Sequence, residues 1–197
     1  MSTNTIAINR RMTRFDGQRE VWLFGYGSLI YKADFPYLER RPARVRGWSR
    51  RFWQGSHDHR GTPEAPGRVA TLIRAPGAVC VGMAYLITPG VFAHLDHREK
   101  NGYLRHALAI ELDDGRAVEG LVYVAGEDNA AYLGPAGEAE IARQIAAAAG
   151  PSGTNRDYLL HLAEALRGLG ADDEHVFAIE RHLLAFERDR QAGAVPA

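Results

Sequence analysis

Hydrophobic period changes once along this chain, and that change limits the fold more than any single motif does. Between residues 21 and 124 the apolar residues come in short runs rich in β-branched and aromatic side chains, broken by glycine, proline and aspartate. This pattern predicts strands over 21–24, 45–53, 68–74, 79–87, 104–112 and 117–124. Asp113-Asp114-Gly115 between the last two is a hairpin signal. From residue 141 the spacing becomes helical: Ile141, Ile145 and Ala148 recur on one face, and Gly150-Pro151-Ser152-Gly153 ends the run. Asn155 is expected to cap a second helix bearing Leu159, Leu162 and Leu166, and a third follows Asp172-Asp173 with Val176, Ile179, Leu183 and Phe186 on its stripe. Thr88-Pro89 opens a shorter helix that reaches about His97. Strands first and helices last describe an α+β domain: a curled, largely antiparallel mixed sheet or barrel with helices on one side.

The 197 residues suffice for one core, and no linker divides them, so residues 20–190 are expected to form a single domain. Residues 1–19, polar and rich in arginine, are expected to be a poorly ordered extension, and 191–197 a tail. Lysine plus arginine equal aspartate plus glutamate at 24 each, which leaves no net field to attract nucleic acid or an anionic membrane. No apolar run approaches the roughly 20 residues of a membrane span, and the first residues lack the apolar centre of a signal peptide. The lone Cys80 lies in an apolar run and reads as a buried strand thiol in a reducing compartment, so a cytoplasmic protein is expected.

The run Phe24-Gly25-Tyr26-Gly27-Ser28-Leu29-Ile30 leaves the first strand directly. Two glycines around a tyrosine allow a sharp turn or a close backbone approach, with N–H groups left to face a carboxylate or an oxyanion. Ile30 stands where a dinucleotide fingerprint needs its third glycine, and the lysine of a P-loop is missing. Glu99 falls where the short helix ends and the chain turns through Gly102 into a strand, a junction that can hold a carboxylate over a sheet's open end. Taken alone it also reads as a solvated surface glutamate. Arg98 and Lys100 would lower its pKa and burial would raise it. His94 and His97 are three apart on one helix, but no further ligand stands at telling spacing, so neither metal nor cofactor is expected. Arg40, Arg41, Arg44, Arg46, Arg50 and Arg51, interleaved with Trp48, Phe52 and Trp53, form a pattern that nucleic-acid binders also show. The balanced net charge and a strand alternation that would spread these side chains over two faces favour a solvated or ion-paired strand face instead.

In order along residues 21–185 come Phe24-Gly25-Tyr26-Gly27-Ser28-Leu29-Ile30, Arg50-Arg51-Phe52-Trp53-Gln54-Gly55-Ser56, Asp58-His59-Arg60-Gly61-Thr62-Pro63, Pro66-Gly67-Arg68-Val69, Arg98-Glu99-Lys100, Tyr132-Leu133-Gly134-Pro135 and Gly150-Pro151-Ser152-Gly153. Together these blocks resemble the ChaC family, the glutathione-specific γ-glutamylcyclotransferases. The resemblance implies a barrel-like mixed sheet and cofactor-free conversion of glutathione into 5-oxoproline and Cys-Gly. It implies that Leu23, Phe24, Gly25, Tyr26, Gly27 and Ser28 form the substrate loop and that Glu99 accepts a proton. Gln54, Tyr103, Tyr123 and Ser152 are polar residues that can complete the pocket. Tyr31 replaces an expected tryptophan, and Asn101 replaces the first glycine of a Gly-Gly-Tyr. The alternatives are a cyclotransferase acting on other γ-glutamyl amines and a non-catalytic RNA-binding protein that uses the arginine-rich strand.

Overall fold

Residues 4–193 are described in a computed structural model of the chain. The first strand, β1 (Val21–Gly25), is buried along its whole length. Its continuous apolar run is explained by cores on both of its faces. Trp22 and Phe24 belong to one core, and Val21 and Leu23 alternate into the other. β1 pairs antiparallel with β3 (Gly67–Ile87), which pairs antiparallel with β2 (Glu39–Ser56). β4 (Tyr103–Leu112) and β5 (Ala117–Ala125) form the expected hairpin about Asp113-Asp114-Gly115. Parallel pairing of Trp22 with Gly120 and Leu23 with Leu121 closes the barrel in the order β1-β3-β2-β4-β5. The mixed, largely antiparallel barrel expected from the sequence is what forms.

Two long strands replace shorter expected ones. The segments 68–74 and 79–87 are a single strand, β3, that passes through an irregularity opposite Gly47. Gly47 has φ +77, a left-handed conformation, and the register shifts between Arg46 and Trp48. Such a bulge reverses which residues face inward. Ala43 and Val45 are buried before it, and Trp48, Arg50, Phe52 and Gln54 after it.

The helical third of the chain packs as its spacing predicts. α3 (Glu138–Ala147), α4 (Asn155–Gly168) and α5 (Glu174–Gly193) bury Ile141, Ile145, Leu159, Leu162, Leu166, Val176, Ile179 and Leu183 in the core that also holds Phe52 and Leu72. The cap of α4 lies one residue earlier than expected: Thr154 accepts from Asp157 N–H at 3.0 Å. Asn155 is instead buried and pairs its amide with the backbone of Arg68 in both directions, at 2.6 and 2.8 Å. The short helix α2 (Phe92–Arg98) lies on the second core through Leu95, alongside Leu23, Tyr85 and Leu121.

Residues 4–19 are not the poorly ordered extension that their polarity suggested. They include a helical turn, α1 (Ile6–Asn9), and Phe15 is buried in the second core with Met12 packed against it. The expected tail at 191–193 continues α5. Residues 1–3 of the extension and 194–197 of the tail lie outside the described residues. No helix among the described residues is long and apolar enough to cross a membrane.

Candidate active site

At the end of β1 the chain turns through Tyr26 and Gly27 into a single 3-10 turn, Ser28–Ile30. The first hydrogen bond of that turn runs from Ile30 N–H to Gly27 O, at 3.0 Å. The N–H groups of Gly27, Ser28 and Leu29 precede it, so the turn's own geometry offers them no partner. The loop is fastened from beneath by Arg50, whose guanidinium is buried. Its Nε donates to Tyr26 O at 2.6 Å, and its other nitrogens reach Val81 O and the Asp173 carboxylate. Asp173 also accepts from Val176 N–H at 3.1 Å and so caps α5. What constrains a side chain at Gly27 is space. A Cβ there would stand 2.9 Å from the Tyr158 hydroxyl.

Glu99 follows the last residue of α2, with its N–H bonded to Leu95 O at 2.8 Å. Its side chain is 17% exposed and lies where two cavities meet. The inner cavity, about 50 Å³, is walled by Phe24, Gly25, Tyr26, Gly27 and Ala70. The outer one, about 190 Å³, is walled by Lys32, Asp34, Asp58, Arg60 and Ser152. Ser28, Glu99, Tyr103 and Tyr158 line both. Arg98 joins the two halves of the site: its Nε lies 3.2 Å from Glu99 Oε1, and its Nη2 donates to Ser28 Oγ at 2.9 Å. Its Nη1 also bonds the Asp34 carboxylate.

The competition left open by the sequence is won by burial. Removal from water raises the Glu99 pKa above the usual carboxylate value; Arg98 pulls it back and Asp34 pushes it up again. Burial also raises the phenols around it, with Tyr26 and Tyr103 well above their ordinary range and Tyr158 pushed up to about 12. These hydroxyls stay protonated near neutral pH. Among the residues shared by the two cavities, Glu99 alone can take up a proton there.

The other sequence-predicted residues differ in how near the cavities they stand. Gln54 lines neither cavity; it is fully buried and exchanges hydrogen bonds with the Asn129 amide at 3.2 and 3.1 Å. Leu23 is a core residue one position behind the loop. Tyr123 borders the inner cavity, but its hydroxyl points to Asp96 at 2.8 Å, within a buried pair that Asp96 makes with Arg105. Tyr103 donates to Ala70 O at 3.0 Å, and Ser152 Oγ lies 3.0 Å from His59 Nδ1. Sequence reasoning missed Tyr158, which precedes the Leu159 stripe on α4, and did not single out Arg60 within its block. Asn101, the departure beside Glu99, uses its side-chain amide to bond Asp58.

The arginine-rich strand is engaged within the chain. Arg44 and Arg46 converge on Glu111 at 2.7 and 2.5 Å, Arg41 pairs with Glu39, and Arg40 donates to Ile30 O at 2.9 Å. Arg51 donates to Ser49 Oγ at 2.6 Å, and Arg50 holds the glycine loop. Intrachain pairing thus accounts for the pattern that suggested RNA. His94, which stood as a potential ligand with His97, is exposed and lies 3.3 Å from Asp34.

A model of ChaC-like proteins matches residues 21–185 and so spans both cavities, the barrel and most of the helical layer. The chain belongs to the ChaC-like family. Within it, the chain is 45% identical over 192 residues to γ-glutamylcyclotransferase 2-3 of Arabidopsis thaliana, covering 90% of this chain and 96% of that one. It is 42% identical over 177 residues to glutathione-specific γ-glutamylcyclotransferase 1 of Homo sapiens, covering 84% of this chain and 80% of the human one. The crystal structure of a γ-glutamyl cyclotransferase specific to glutathione from yeast superposes with a TM-score of 0.79 at 33% identity, over 86% of this chain and 97% of that one. The ChaC-like resemblance drawn from separated sequence blocks is therefore family membership.

Proposed function

We propose that this chain is a glutathione-specific γ-glutamylcyclotransferase of the cytoplasm, in which Glu99 moves the protons. The observation that carries this reading is the placement of one raised-pKa carboxylate at the junction of a small inner cavity and a larger outer one. The yeast and human relatives named for glutathione support the choice of substrate. The single buried Cys80 fits a reducing compartment.

In this reaction the α-amine of the γ-glutamyl group attacks its own γ-carbonyl. A carbon–nitrogen bond closes the five-membered lactam, and the bond to the cysteine nitrogen breaks. Nucleophile and electrophile belong to one molecule, so proximity is largely built in and the protein must select the ring-closing conformer. The α-nitrogen gives up two protons between ammonium and lactam N–H, and the leaving nitrogen takes up two. One carboxylate placed between them can carry both in turn. The inner cavity takes the γ-glutamyl group beside the loop N–H groups, which face either its α-carboxylate or the γ-oxyanion. The outer cavity takes Cys-Gly, with Lys32 and Arg60 as the cations for its terminal carboxylate.

The test is incubation with glutathione, monitored for 5-oxoproline and Cys-Gly together. Glutathione should be converted, and γ-glutamyl-alanine, which lacks the second residue that fills the outer cavity, should react poorly. Equal kcat/KM on both would overturn the substrate assignment.

A second expectation follows from the groups that face Glu99, namely Arg98, Asp34, Tyr26, Tyr103 and Tyr158. Arg98 is the one that stabilises the carboxylate. Arg98→Gln keeps an amide near Ser28 but removes that charge, so Glu99 should hold its proton to higher pH. The acid limb of the rate profile should move upward relative to wild type. A limb that stays in place or moves to lower pH would mean that another group sets it.

A further inference from the structure

Glu99 and the four residues after it leave a helix end and start a strand edge, two places where backbone groups lack partners. β4 pairs with β2 only at its far end, through Ala43 with Leu112 and Arg44 with Glu111, so its first residues have no strand on that side. The segment before β1 supplies what is missing. Thr5 N–H donates to Lys100 O at 2.8 Å, and Thr5 Oγ1 to the same oxygen at 3.0 Å and to Glu99 O at 3.5 Å. Asn4 forms a backbone bridge with Asn101. The side chain of Asn9 acts as a one-residue strand: its Nδ2 donates to Tyr103 O at 3.0 Å, and its Oδ1 accepts from Arg105 N–H at 2.9 Å. Thr5 and Asn9 are buried although they are polar. Buried polar side chains spent on backbone groups fix geometry more than they add apolar stability.

We propose that residues 4–9 are a brace that holds Glu99 in register with the substrate, with Thr5 and Asn9 as its positioning residues. The brace lies before residue 21, where the match to the family begins, and so is an addition to the core that carries the family's signature. It rests on the reading of Glu99 as the proton carrier. Neither residue lines a cavity, so neither contributes to binding directly. Loosening the brace moves the carboxylate, together with Asn101 and Tyr103 in the cavity wall, and leaves the glycine loop as it was.

The experiment compares Thr5→Val, Thr5→Ser and Asn9→Ala with wild type. Arg14→Ala serves as a control that removes only an exposed pair with Glu119 on the same segment. Thr5→Val and Asn9→Ala should lower kcat by roughly 10- to 100-fold, the scale of a misplaced catalytic group, with a smaller change in KM. Thr5→Ser, which keeps the hydroxyl, should restore the rate, and Arg14→Ala should match wild type. Amide hydrogen exchange should accelerate over residues 4–9 and 100–105 in the two impaired variants and nowhere else. Normal kcat in both, or a loss of rate that follows a global loss of protection, would overturn the proposal. Were wild type to release no 5-oxoproline from glutathione, the function would fall by itself. Exchange at 100–105 would then decide the brace, with acceleration supporting it and unchanged protection overturning it.

Discussion

Replacing Glu99 by glutamine is expected to lower the release of 5-oxoproline from glutathione by roughly 10²- to 10⁴-fold, the usual contribution of a general base. Glutamine keeps the shape and the contact to Arg98 but cannot take a proton. KM should therefore hold while kcat falls. The substrate ammonium resembles a terminal amine with a reference pKa of about 8, so near neutral pH it must be deprotonated before it can attack. Wild-type activity should rise across the neutral range, and the glutamine variant should recover partly in alkali, where the amine loses its proton unaided. Matching changes at Glu111, which is tied up by Arg44 and Arg46, at Glu119, which pairs with Arg14, and at Glu127 should cost far less. A near-normal rate for Glu99→Gln beside an inactive variant at one of those three would remove Glu99 from the mechanism.

Gly27→Val is expected to abolish substrate binding, with kcat/KM falling by about 10²-fold or more. The obstacle is contact: the first side-chain carbon would meet the Tyr158 hydroxyl at 2.9 Å, and the two methyls beyond it would enter a cavity of only about 50 Å³. Tyr158 cannot swing aside cheaply, because its oxygen accepts from Ala70 N–H at 3.2 Å and its ring packs on Phe52. The same clash should lower the melting temperature, so the assay is read below the variant's own cooperative transition. A variant that folds normally and retains wild-type kcat/KM would show that the inner cavity is not where the γ-glutamyl group sits.

The strands, the three long helices and the glycine loop were legible because each follows from periodicity or from a residue type with a local meaning. What lay beyond reach depended on parity and on edges. Alternation through Ala43 and Val45, carried forward, would bury Arg51 and expose Arg50. One left-handed glycine at position 47 reverses this, and Arg50 becomes the buried anchor of the glycine loop. Gln54 was read as a pocket residue for its polarity, yet its partner is Asn129, in a loop that local patterning does not connect to it. Tyr123 borders the inner cavity, yet the partners of its hydroxyl, Asp96 and Arg105, come from other elements that local patterning does not connect to it. The first segment escaped because composition records its arginines but not the open edge of β4, to which Asn9 is matched. Glu99 itself was visible at a helix-to-strand junction, whereas its burial depended on the meeting of α2, the glycine loop and α4.

The anchor beneath the loop also determines how far this chain can be divided. A five-stranded barrel that closes on itself looks like a module to which three helices were added later. Arg50 spans that boundary, reaching from the carbonyl of Tyr26 to the residue that caps α5. A barrel cut free before residue 173 would leave that guanidinium buried without its counter-ion, and the glycine loop would lose its floor before the sheet lost its strands. Barrel and helical layer are one working unit, and neither is a scaffold onto which the other can be grafted.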